Sequence, residues 1–132
     1  MRASVLVGPE TSEVREVPVP VAGEHDVLVR VEACGVCFSE FYKWQGTRTG
    51  LTYPIMMGHE PTGVIAEVGP QVDSLEVGQR VAVLPTGPGR FTEYANGGFA
   101  EYIAVPQTRV AIVPEGVSAA EAVGEPLSLI HI

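Results

Sequence analysis

The sequence predicts a mostly β domain of many short strands, tight turns and short helices, and three observations point to it. Its 15 glycines and 11 prolines are scattered along the chain rather than clustered, the pattern expected where many tight turns join short strands. Residues 27–33, Val-Leu-Val-Arg-Val-Glu-Ala, alternate with period two and put Val27, Val29 and Val31 on one face. Short β-branched runs then recur, as at Val64, Ile65 and Val68 and again at 81–84. A length of 132 residues is enough for one domain with a hydrophobic core.

In chain order, residues 3–7 suit a first strand closed by Gly8-Pro9, and 14–19 alternate apolar with charged residues as a half-exposed strand does. Pro18 and Pro20 put the end of that strand at a sheet edge. A turn over 22–26, with a solvated His25, leads into the strand at 27–33. A helical turn begins at Cys37. At helical spacing Phe38, Phe41 and Tyr42 share one face, which predicts core packing, with a substrate-pocket wall as the alternative. Residues 45–51 read as a loop. Gly58 allows a turn that other residues resist, and Pro61 blocks a helix before the strand over 64–68. Turns over 68–80 carry an apolar plug at Leu75. A buried strand follows at 81–84, then an irregular loop over 85–98 and strands at 98–105 and 109–114. Ser118 caps a last helix, with Glu121 at the capping-box position.

Composition excludes several classes of function. A net charge of −8 with dispersed arginines offers no basic face for nucleic acid. No apolar run approaches the roughly 18 residues that span a bilayer, and the start is too short in apolar residues for a signal peptide. The cysteines, Cys34 and Cys37, form one Cys-x-x-Cys with no further partners, which points to a reducing, cytoplasmic setting and a reactive or metal-binding role. A redox pair needs a strand-to-helix setting like thioredoxin's, and a four-cysteine zinc site needs a second pair. Cys37 can then aim at a cleft while Cys34 packs beneath as a small hydrophobe.

The Gly58-His59-Glu60-Pro61 stretch adds an imidazole and a carboxylate, and Glu125 adds a second acid. Cys37, His59, Glu60 and Glu125 all lie near turns, and zinc accepts such a mixture of S, N and O donors. With fewer than four permanent protein ligands the ion keeps a position for water or substrate. One glutamate could then bind while the other waits. Four unrelated polar residues, each satisfied locally, is the competing reading.

The ordered combination of 27–37, Gly58-His59-Glu60, 77–81 and 98–102 resembles the catalytic domain of zinc-dependent medium-chain alcohol dehydrogenases, over about residues 1–126. The resemblance implies a GroES-like β-barrel, with Cys37 and His59 as zinc ligands and Glu60 and Glu125 binding or exchanging at the metal. Glu125 matches the Glu-Pro of the polyol- and threonine-dehydrogenase branch. It further implies that zinc polarises an alcohol or polyol whose hydride passes to NAD or NADP, and that Ser39 takes the alcohol proton, with helix capping as its alternative role. The full-length protein is expected to be a homo-oligomer.

This chain departs from the family in three ways. Tyr42 stands where many members carry the relay histidine. Glu40 replaces the usual aspartate that orients the zinc histidine. The lobe between Leu84 and Gly98 lacks the four cysteines of the structural zinc, so one catalytic ion and no second metal is expected. The Gly-x-Gly-x-x-Gly of a nucleotide-binding (Rossmann) domain is not found within these 132 residues. Residues 127–132 match one reading frame of a sequencing adaptor and are expected to be a non-native tail on a truncated catalytic domain. Such a fragment is expected to bind zinc without transferring hydride. The rival readings are a stand-alone GroES-like binding module without catalytic activity and a zinc-free reductase of the same superfamily.

Overall fold

The computed structural model describes residues 1–84 and 97–123. Glu125, the lobe at 85–96 and the tail at 127–132 lie outside the described residues. Among those described, the elements are mostly strands, and every ladder is antiparallel. β1 (Arg2–Gly8), β2 (Thr11–Glu16) and β4 (Ile55–Met56) form one sheet in the order β2-β1-β4. β3 (Asp26–Cys34), β5 (Pro61–Val68), β6 (Arg80–Val83), β7 (Tyr102–Pro106) and β8 (Val110–Ile112) form a second, in the order β7-β3-β5-β6-β8. Two short helices, α1 (Phe38–Trp44) and α2 (Ala119–Ala122), complete the set with a 3-10 turn at Gln107–Arg109.

The segment before β7 joins the two sheets. Ser4 N–H donates to Phe99 O (2.8 Å) on one side, and Val31 N–H donates to Glu101 O (2.9 Å) on the other. The core follows the period-two pattern. Val27 and Val29 of β3 pack with Ile65, Val81, Val83, Ile103 and Val105, while Val31 and Leu75 close its margin. A second cluster of Leu6, Ile55 and Met57 lies under Trp44, Leu51, Tyr53 and Phe99. Ile65 sits on β5, between β3 and β6. Ile65→Val is expected to cost about 0.5–1.5 kcal/mol through one lost methylene, read as a lower urea midpoint at unchanged slope. Val14→Thr on β2, where Val14 is 76% exposed, is expected to stay within about 0.5 kcal/mol.

Several elements differ from expectation. The second strand is Thr11–Glu16 rather than 14–19, and all of it is exposed, because among the described residues β2 is an edge strand paired with β1 alone. Residues 98–101 make a single bridge, Ala3 to Ala100, before β7 begins at Tyr102. The largest difference is α1. Its buried residues are Glu40 and Lys43, whereas Phe38 (67%), Phe41 and Tyr42 are exposed. The three rings do share a face, with Phe38 stacked on Phe41 at 5.5 Å and edge-on to Tyr42 at 5.2 Å. That face looks outward because the opposite one is engaged in polar contacts, Glu40 with His59 and with the Cys37 amide. The expected core packing of these aromatics is therefore overturned.

Candidate metal centre

Antiparallel pairing explains why residues distant in sequence meet. The ladder between β3 and β5 sets Cys34 opposite Pro61, so the chain leaving β3 and the chain entering β5 emerge together. Gly35 N–H donates to Glu60 O at 3.2 Å and holds the two segments side by side. A side chain at Gly35 would collide with the Glu60 carboxylate and with Val123. Gly58 has φ of 96° and faces the Phe99 amide nitrogen at 2.7 Å from where a Cβ would stand, so a larger residue is refused on both counts. Cys37 then serves as the N-cap of α1, with φ −79° and ψ 154°.

The ligand atoms of Cys37, Glu40 and His59 all lie within 4.8 Å of one another. Glu40 Oε1 lies 2.5 Å from His59 Nδ1, and Glu40 Oε2 accepts from the Cys37 amide at 3.0 Å. With Nδ1 engaged, Nε2 is the nitrogen left for a metal, and it lies 3.6 Å from Glu60 Oε1. That oxygen is buried without a hydrogen-bond partner among the described residues. A buried orphan carboxylate oxygen is costly unless a cation or donor meets it. A soft sulfur, an imidazole and this oxygen therefore fit a borderline divalent ion such as zinc.

The local electrostatics agree with that arrangement. Burial works against the charge of Glu40, yet the His59 hydrogen bond, the charges of His59 and Lys43 and the Cys37 amide together hold its carboxyl below the usual value. The bond to Glu40 lifts His59 above the ordinary imidazole value, against the opposing effect of burial. Burial pushes the Cys34 thiol up to about 12, keeping it neutral.

Of the residues singled out from sequence, Cys37 and His59 come together here with Glu40, Glu60 stands beside His59 but outside that cluster, and Glu125 lies outside the described residues. Ser39 is half-buried in the first turn of α1 but does not cap it, because Cys37 holds the N-cap position and Glu40 takes its amide. Glu40 does reach His59. Its bond to the Cys37 amide was signalled by the three-residue spacing of a capping box, while nothing in the sequence signalled the burial of Lys43.

Fold and site together are those of a GroES-like domain, and residues 23–115 match the alcohol dehydrogenase GroES-like domain. The chain belongs to the zinc-type medium-chain alcohol dehydrogenase family. It is 45% identical over 85 residues to the probable D-xylulose reductase A of Arthroderma otae, covering 61% of this chain and 24% of that protein. It is 34% identical over 97 residues to the sorbitol dehydrogenase of Rattus norvegicus, covering 71% and 27%. A solved structure of the alcohol dehydrogenase RspB from Escherichia coli CFT073, complexed with NADH, superposes with a TM-score of 0.81 at 31% identity, over 94% of this chain and 41% of that one. The chain thus spans between about a quarter and two fifths of the length of the proteins it matches.

Proposed function

We propose that this chain is the metal-holding catalytic domain, residues 1–126, of a zinc-dependent oxidoreductase that moves hydride from a small alcohol or polyol to NAD or NADP. The observation that carries the reading is the cluster of Cys37, Glu40 and His59, with the orphan oxygen of Glu60 3.6 Å from His59 Nε2. Cys37, His59 and Glu60 would hold one zinc ion, with Glu125 binding or exchanging with Glu60. Zinc there supplies Lewis acidity that makes an alcohol hydroxyl easier to deprotonate near neutral pH. The chain's own residues do the rest of the local work. Glu40 orients the imidazole, and Ser39 Oγ, in the first turn of α1, accepts the alcohol proton while passing its own hydroxyl proton on toward solvent. The exposed rings of Phe38, Phe41 and Tyr42 follow Cys37 directly and support α1 as a wall of the substrate cleft. The full-length protein is assigned as a homo-oligomer, and the isolated chain is assigned zinc binding without turnover.

Adding zinc to the demetallated chain in a titration calorimeter tests this. One ion per chain is expected. A chain that takes up no zinc would speak for a metal-free binding module instead. Two ions would contradict the absence of a structural zinc.

A further inference from the structure

We propose that β2 is an interaction surface for a second copy of this chain, the two β2 strands pairing antiparallel about a two-fold axis at Val14. The proposal rests on the homo-oligomer assignment above, to which it gives a surface, and is independent of the metal site.

Among the described residues β2 pairs with β1 on one side only, so alternate N–H and C=O groups along its outer side lack a ladder partner. All six residues from Thr11 to Glu16 are exposed, and the strand contains no proline, the nearest being Pro9 and Pro18. Such an edge accepts an added strand. The sequence then selects which strand. In an antiparallel pair centred on Val14, Glu13 stands opposite Arg15 of the second copy, and Arg15 stands opposite its Glu13. The same two residues are already joined within one chain, where Arg15 Nε donates to Glu13 Oε2 at 2.9 Å. Two copies therefore form a quartet of alternating charge, each carboxylate between two guanidinium groups. Val14, 76% exposed in the single chain, meets its own counterpart on the other face of the ribbon.

Register distinguishes this strand from an ordinary charged edge, whose charges serve to repel neighbours. Shifting the pairing by one residue sets Glu13 opposite Val14 or opposite Glu16. Shifting it by two sets Glu13 opposite Glu13 or Arg15 opposite Arg15, where like charges repel. Among these registers only the one centred on Val14 opposes unlike charges. The pairing also closes. Joined through β2, the two sheets run β4-β1-β2-β2-β1-β4, and each outer edge is then β4, two residues long and preceded by Pro54. So short an edge offers little to a further strand, and the assembly stops at two copies, as a contact between identical patches does.

Six residues a side fall short of the roughly 20–30 of a standard stable interface, so the pair is in equilibrium with monomer and is read by cross-linking. Residues directly opposite one another across an antiparallel pair lie about 4.5–5.5 Å apart at Cα, within disulfide range. In a glutathione redox buffer, Val14→Cys is expected to cross-link to itself well above the wild-type level set by Cys34 and Cys37. Ser12 stands opposite Glu16 of the second copy. Ser12→Cys and Glu16→Cys are therefore each expected to stay at the wild-type level alone and to cross-link when mixed. Val14→Cys at the wild-type level overturns the proposal, as does Ser12→Cys alone matching the mixture. Within the Val14→Cys chain, Arg15→Glu is expected to lower the yield about tenfold, and adding Glu13→Arg is expected to restore it. A single change without loss, or a double change without recovery, overturns the proposal too. Should the Arg15→Glu chain fail to fold by circular dichroism, Glu13→Arg serves as the single change. Sedimentation of the wild-type chain separates the failures. Association without the cross-link overturns this surface and leaves the homo-oligomer assignment standing, whereas a monomer that never cross-links overturns the surface and counts against the assignment as well.

Discussion

Gly63→Ala should remove the cooperative unfolding transition, or lower stability by more than about 4 kcal/mol, the exceptional class of single substitution. Gly63 lies in β5, paired with Val31 of β3 on one side and with Val81 of β6 on the other. A Cβ built there meets the carbonyl oxygen of Arg30, with the Arg30 carbonyl carbon at 2.8 Å and the Val31 Cα at 2.9 Å. All three obstacles are main chain, so no rotamer change relieves them. Opening the gap means separating β5 from β3, whose ladder already shifts register between Val31 and Ala33. Glycine-to-alanine changes usually stabilise slightly by restricting the unfolded chain, by about 0.4–1 kcal/mol where the native conformation accepts a side chain. Gly8 is the comparison, since a Cβ there meets nothing within 4 Å, and Gly8→Ala should leave the midpoint close to wild type. Urea unfolding of the two variants decides the matter. A Gly63→Ala chain with a wild-type midpoint would show that the close approach of β3 and β5 does not exist in solution.

The same closeness shows which parts of the fold were legible in the sequence. The strand at 27–33 was visible because its alternating valines face a core that demands alternation, and Val27 and Val29 are fully buried. The Ser118–Glu121 cap was visible because it is local, with both partners inside one turn. The meeting of Cys37 with His59 was not derivable from spacing. It depends on the pairing of Cys34 with Pro61, a long-range register that local patterns do not encode, and the family resemblance supplied the link. Helix α1 misled for a related reason. Periodicity correctly put Phe38, Phe41 and Tyr42 on one face but carried no sign of which way that face turns. Its orientation is set by Glu40, which turns inward to reach His59 and carries Lys43, one turn on, into the interior with it. A hydrophobic rule applied to a helix whose inner face serves a site gives the orientation backwards.

Cys37→Ala should weaken zinc binding by more than the roughly 100-fold that marks loss of an outer partner, while Cys34→Ala should leave the affinity within a few-fold. The two thiols share one Cys-x-x-Cys, yet their surroundings differ. Cys37 stands at the start of α1 with its ligand atom in the cluster that includes His59. Cys34 closes β3, with Sγ 3.0 Å from where a Cβ would stand on either Gly58 or Gly98. The thiolate is the ligand form, and burial keeps the Cys34 thiol protonated far above neutral pH. Removing that sulfur should instead loosen the packing between the Gly58 turn and Gly98, lowering the unfolding midpoint by an amount typical of a small cavity, about 1 kcal/mol. Competition with a chromophoric zinc chelator measures the first effect and urea unfolding the second, on the same three proteins. The pattern matters more than either value: if zinc follows Cys34 and ignores Cys37, the chain leaving β3 presents the wrong sulfur to His59, and the centre drawn here cannot be the one that holds the ion.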